Sequence, residues 1–190
     1  MVFSTSFASI NASHSFDKFL SPRSGDELHC LQLCASNGEA TSYLLEHVLL
    51  NDSSTLTDVD TWRGTDSPDD VNINWSEVER QYDLSHRAAL ESGRLIKRKM
   101  TNNEFFDVNS QEFDFIYIDG NQPGPAVLQD GLNAVRNLKP SGLLAFNDAR
   151  WHQKHPLSTG PSPAVSALAQ VFSDEISVLQ ADNLVWMRRI

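Results

Sequence analysis

Basic residues are scarce in this chain. Fifteen Lys and Arg face twenty-five Asp and Glu over 190 residues, a formal net charge of −10, and a field of that sign repels phosphate backbones and anionic lipid surfaces. Nucleic acid and membrane are therefore disfavoured as partners. Long apolar runs are missing as well: the longest are of strand length, too short to span a bilayer. The opening MVFSTSFASINASHSF lacks a basic n-region and a continuous apolar stretch, which predicts an unsecreted, cytoplasmic protein. There are only two cysteines, Cys30 and Cys34. Their spacing sets both on one face of a strand, where disulfide geometry is seldom met, so both are expected as reduced thiols. No strand is followed by G-x-G-x-x-G, which counts against a nicotinamide-dependent oxidoreductase.

What the sequence does contain is alternation. With 40% hydrophobic residues, the length suits one sizeable core. The expected organisation is a single domain over 1–190, with residues 1–28 an N-terminal extension packing on the sheet. HCLQLCA (His29 to Ala35) reads as a strand, and the segment from Ser36 as a helix with Ala40, Leu44 and Val48 on one face. Ser54 to Thr61 is rich in β-branched residues. WSEVERQYDLSHRAALESG ends on a glycine suited to a helix C′ position, and Arg94 to Met100 reads as another strand. FDFIYIDG is almost continuously apolar, as befits a strand covered on both faces. A helix carrying Val127, Leu128, Leu132, Val135 and Leu138 follows, with Pro140 and Gly142 as its stop and GLLAFNDA as the next strand. Val165, Leu168 and Phe172 mark a last helix before a hairpin turning at Asp182 and Asn183. Strands alternating with helices of this length predict a doubly wound, Rossmann-like α/β sheet of about seven strands, mostly parallel, with a C-terminal antiparallel hairpin.

In such a sheet ligands bind outside the carboxyl ends of the strands, where strand order reverses. Asp60, Asp119 and Asp148 each stand at such an end, and three acids at equivalent positions point to a shared crevice.

At these residues the chain resembles the class I S-adenosylmethionine-dependent methyltransferases, and within them the small "methyltransferase 24"-like branch. LQLCASNGEATSYLLEHVL is similar to the branch's first motif and TLTDVDTW to its second. FDFIYIDG, LKPSGLLAFND and the closing PSPAVSALAQVFSDEISVLQADNLVWMRRI resemble its fourth strand, fifth strand and final helix plus hairpin. The resemblance implies S-adenosylmethionine as cofactor, held by Gln32, Cys34, Ala35, Gly38, Asp60, Thr61, Trp62 and Asp119. Asp60 would accept hydrogen bonds from the ribose diol, and Trp62 would lie against the adenine or close over it. The first motif departs from the family at Gln32, where an acid is usual, and at Cys34, where the first glycine is usual. After IDG the branch's Ser and His are replaced by NQPGP, so Gln122 stands where a general base would be expected.

Asp119, Asp148 and His152 are the candidate catalytic residues, with His155, Arg150 and Lys154 in the same connection. Asp119, Asn147 and Asp148 resemble a catechol O-methyltransferase-type set for Mg²⁺ or Mn²⁺. His14, His29, His47 and His86 are read as structural. The expected reaction is methyl transfer, to an oxygen of a small-molecule acceptor in preference to a nitrogen, in a protein free to form a homodimer. Two alternatives stay open: a degenerate, non-catalytic nucleoside-binding or interaction protein on the same fold, and the nicotinamide-dependent oxidoreductase.

Overall fold

The computed structural model describes residues 10–64, 71–119, 123–147, 161–181 and 184–190. Its elements run α1 (Ile10–Leu20), a 3₁₀ turn (Ser21–Arg23), β1 (His29–Leu33), α2 (Glu39–Tyr43) continuing into a π-helical turn (Leu44–Val48), β2 (Thr55–Asp60), α3 (Trp75–Ser85), α4 (Arg87–Glu91) and β3 (Leu95–Lys99). The second half adds α5 (Asn102–Val108), β4 (Phe113–Ile118), α6 (Gly124–Arg136), β5 (Leu138–Phe146), α7 (Pro161–Val171), β6 (Ile176–Ala181) and β7 (Val185–Arg189). These strands form one sheet in the order β3-β2-β1-β4-β5-β7-β6. Strands β1 to β5 pair in parallel, whereas β7 runs antiparallel to both β5 and β6. Strand order reverses between β1 and β4, and the crevice outside their carboxyl ends lies there.

Both faces of the sheet are covered. On one, Cys30, Leu56, Phe115, Tyr117, Ala145 and Trp186 are buried beneath α1, α2 and α3. Phe16 of α1 meets Tyr43, Phe115, Tyr117 and Trp186 edge-on, with ring centroids 5.0 to 5.9 Å away, and Trp186 Nε1 donates to Ser15 Oγ at 2.6 Å. On the other face Leu31, Val59, Ile116, Leu144 and Phe146 pack against Phe105, Val127, Ala134, Val135 and Leu168. All six residues of β4 are buried, which accounts for its unbroken hydrophobicity.

Several boundaries differ from the sequence reading. The 140–142 stop lies inside β5, which begins at Leu138. The register shifts between Phe113 and Phe115, and Ser141 takes φ 62°, so an irregularity absorbs the proline and glycine while Leu138 stays buried. Helix α5 went unread, although Thr101 and Glu104 form a capping box at its start. The helix expected over 75–93 breaks at His86, for a reason that belongs to the site. Both cysteines are free. The hairpin turn at Asp182 and Asn183 lies outside the described residues.

Candidate active site at the carboxyl ends of β1, β2 and β4

Strand β1 ends at Leu33, and the next five residues form a turn in which alternate positions are left-handed: Cys34 (φ 65°), Ser36 (φ 51°) and Gly38 (φ 82°). Only the last is a glycine. For Cys34 and Ser36 this backbone costs roughly 1–2 kcal/mol each, so the surroundings must fix it. Cys34 N–H donates to Val59 O at 2.8 Å and Gly38 N–H to Ala35 O at 2.9 Å. Ser36 N–H donates to Asp60 Oδ2 at 2.9 Å, Trp62 N–H to Asp60 Oδ1 at 2.7 Å, and Trp62 Nε1–H to Ser36 O at 2.9 Å. Asp60 is thus a staple between the loops after β1 and β2. Burial raises its pKa, opposed by the backbone N–H groups of Ser36, Trp62 and Thr61. The Ser36 and Trp62 hydrogen bonds, on a carboxylate with about four acceptor directions, leave Asp60 with acceptor capacity beyond the staple.

Trp62, expected against the adenine or closing over it, packs into the protein interior. It is 2% exposed, 5.0 Å from the Tyr82 ring, with Lys97 Nζ 4.5 Å above its own ring. Its packing belongs to the core, because the left-handed backbone at 62 (φ 47°) turns the indole inward onto Ser36. Gln32 is likewise interior, 1% exposed, and its side chain supports the turn from below. Thr41 Oγ1 lies 2.6 Å from Asp58 Oδ2 and 3.3 Å from Gln32 Oε1, and Tyr82 Oη donates to the same Asp58 oxygen at 2.7 Å. Gln32 and Asp58 are cross-strand partners. Asp58 is fully buried, and burial pushes its carboxyl up to about 7 against the lowering effect of the Thr41 and Tyr82 hydroxyls. The chain therefore keeps a buried carboxyl under this turn, on β2 and not at position 32.

Gly38 is required by the protein's own side chains. A Cβ there would collide with His86 Cε1 and lie 2.9 Å from Tyr82 Cδ2. His86 interrupts the α3–α4 helix so that its ring can reach this spot. Its Nδ1 lies 2.9 Å from Tyr82 O and its Nε2 2.9 Å from Ser42 Oγ. A carbonyl only accepts, so Nδ1 carries the proton and Nε2 accepts from Ser42.

Beyond β4, Asp119 N–H donates to Leu33 O at 3.1 Å, and Asn147 Nδ2 donates to Asp119 Oδ1 at 2.7 Å. The two residues are adjacent as the sequence suggested, but Asn147 presents an amide donor to the acid. Among the described residues no group of three or more His, Cys, Asp or Glu is placed to hold a metal ion. Asp148, His152, His155, Arg150, Lys154 and Gln122 lie outside the described residues. Cys34 finds its neighbour on the opposite side of the turn: Asn102 Nδ2 is 3.8 Å from Cys34 Sγ and 2.9 Å from Asp130 Oδ2. Asp130 is buried, which lifts its carboxyl to about 6 against the Asn102 hydrogen bond. Sequence reading missed Asp58, Tyr82, His86 and Asp130. The one available signal was Asp58 in the middle of a strand rich in β-branched residues, since a buried acid needs partners.

The sequence profile of the methyltransferase domain family matches residues 32–149, from Gln32 under the turn to just beyond Asn147. The chain belongs to that family. It is a class I S-adenosylmethionine-dependent methyltransferase, an enzyme whose chemistry is methyl transfer from that cofactor. Solved structures share the fold. The N-methyltransferase NodS from Bradyrhizobium japonicum WM9 superposes with a TM-score of 0.61 at 16% identity, covering 94% of this chain and 95% of NodS. The O-methyltransferase TomG from Streptomyces achromogenes, involved in tomaymycin synthesis and solved with S-adenosylmethionine, gives 0.69 at 10% identity, covering 95% of this chain and 80% of TomG. An O-methyltransferase from Bacillus cereus gives 0.67 at 10% identity, covering 96% and 82%. No curated protein matches this methyltransferase.

Proposed function

We propose that this methyltransferase methylates an oxygen of a small molecule, with the cofactor held by the 34–38 turn and Asp60. The observation that carries this reading is the Asp60 staple: one carboxylate fixes both loops through Ser36 and Trp62 and keeps an acceptor direction for a ribose hydroxyl. The residues fit the cofactor because the turn has the alternating left-handed backbone that a close-approach loop needs, with the Cys34 sulfur placed beside Asn102. Bound there, S-adenosylmethionine would supply an electrophilic methyl group on a sulfonium. The protein's share is positioning: Ala35, Gly38 and Thr61 shape the turn and the rim, and Asp119, oriented by Asn147, faces the acceptor side. The acidic net charge favours a neutral or cationic small molecule over nucleic acid. Among the described residues no helix is long and apolar enough to cross a membrane. A cytoplasmic enzyme free to form a homodimer is the form this reading assigns.

Calorimetry tests the reading. S-adenosylhomocysteine should bind and NAD should not. Asp60→Ala, with folding checked by its melting curve, should weaken binding by about 1.5–3 kcal/mol, the range for hydrogen bonds to a charged group. Mass spectrometry of a panel of phenols, carboxylic acids and amines incubated with enzyme and cofactor then identifies the accepting atom. Binding without turnover across the panel would favour the non-catalytic nucleoside-binding alternative, which the non-glycine residues Cys34 and Ser36 in the turn would suit. Tight binding of NAD would overturn the reading.

A further inference from the structure

We propose that His86 is a positioning residue for the cofactor turn, and that cofactor binding is coupled to keeping this imidazole neutral. The inference rests on the cofactor reading above. Three contacts carry it. The ring fills the space where a side chain at 38 would stand, which is why that position is glycine. Nδ1–H is committed to Tyr82 O, and Nε2 accepts from Ser42 Oγ at 2.9 Å. Ser42 N–H in turn donates to Gly38 O at 2.9 Å, so the residue that the ring holds is bonded back to the turn. Glycine, serine and imidazole form one closed loop of contacts.

Protonating His86 reverses the bond to Ser42, because Nε2 becomes a donor and the hydroxyl proton must turn elsewhere. It also brings a positive charge into a place that is 6% exposed. Burial is the largest effect and lowers the imidazole's pKa, while the carbonyls of Tyr82 and Gly38 and the carboxylates of Glu46 and Asp83 oppose it. The titratable groups facing it are Tyr82 and Asp83 on α3 and Glu46 on the π-helical turn. Asp58 on β2 is reached only through the Tyr82 hydroxyl. A helix break in the β2–β3 crossover, far in sequence from residue 38, thereby sets the backbone of the first turn.

The test is S-adenosylhomocysteine binding by calorimetry between pH 8 and 5.5, each point repeated in two buffers of different ionisation enthalpy to count protons. Wild type should bind tightly at pH 8 and weaken below the ordinary histidine range by up to about tenfold per pH unit, with proton release on binding. His86→Gln can keep an acceptor for Ser42 but cannot titrate, so it should lose that proton release and give a flatter profile. Ser42→Ala keeps the ring and its packing and should show a smaller proton release than wild type. A merely structural ring would lower the melting temperature in His86→Gln and leave the proton count unchanged. Binding at pH 8 together with equal proton counts in wild type and both variants at the acid end of the range would overturn the inference alone. No binding by wild type at pH 8 would overturn it together with the cofactor reading.

Discussion

The two ends of this sheet treat a buried aspartate in opposite ways. At the amino end, Asp114 accepts from His29 N at 2.9 Å, Lys139 Nζ at 2.7 Å and Arg23 Nη2 at 3.2 Å. Burial there is outweighed by the His29 N–H and the two cations, and the carboxyl titrates below its ordinary range. At the carboxyl end, Asp58 and Asp60 receive only neutral donors, and burial raises both. The amino end is built for stability, with charge matched by charge. The carboxyl end holds acids whose charge is not neutralised by a cationic partner, the arrangement expected where a ligand is to be bound and pKa values are tuned.

Four experiments would break or sharpen that contrast. The largest effect should come from Asp114→Ala, which strands a half-exposed Arg23 and Lys139 and leaves His29 N–H without its acceptor. Urea denaturation at pH 7 should show a loss of about 2–3 kcal/mol, shrinking toward zero in acid. Asp114 has a lowered folded pKa, so its contribution is present above the unfolded value near 4 and disappears as pH falls through the folded one.

Asp58 should show the reverse slope. Its folded carboxyl is raised to about 7, so the stability it contributes is complete below the unfolded value and lost as pH rises to about 7. Urea midpoints of Asp58→Asn should vary less than those of wild type between pH 4.5 and 8. An unchanged slope would remove the contrast between the two ends. Tyr82→Phe deletes one neutral donor to Asp58 and should cost about 1 kcal/mol, with the wild-type slope displaced to higher pH. The smallest effect is expected from Asp130→Asn. It should remove a shallower fall in stability that ends near the pH of about 6 at which Asp130 titrates, measurable only as a difference from wild type.

Part of the candidate site's placement was legible in the sequence because it follows the strand ends. Asp60 and Asp119 stand at the carboxyl ends of β2 and β4, the positions that strand–helix alternation assigned. Asp119 and Asn147 are neighbours because β4 and β5 pair in parallel, Ile118 opposite Phe146. The residues read with least success were those whose role depends on a partner far along the chain. Trp62 looked like a loop aromatic until its contacts with Ser36, Tyr82 and Lys97 were seen. His86 was read only as a structural histidine within a continuous helix, whereas that helix breaks at His86 and its ring meets Gly38 and Ser42.

The sequence by itself determined the order of the strands, the apolar β4, the doubly wound class and the placing of Asp60 and Asp119 at carboxyl ends, because period and turn chemistry act over a few residues and are written locally. The tertiary structure decided what each polar residue is for. That the buried carboxyl under the turn comes from Asp58, that the space beside residue 38 is filled by His86, and that Asp60 joins two loops all depend on groups brought together from separate strands and helices. Hydrogen-bond geometry and desolvation are properties of that assembled surrounding, and no local pattern encodes them.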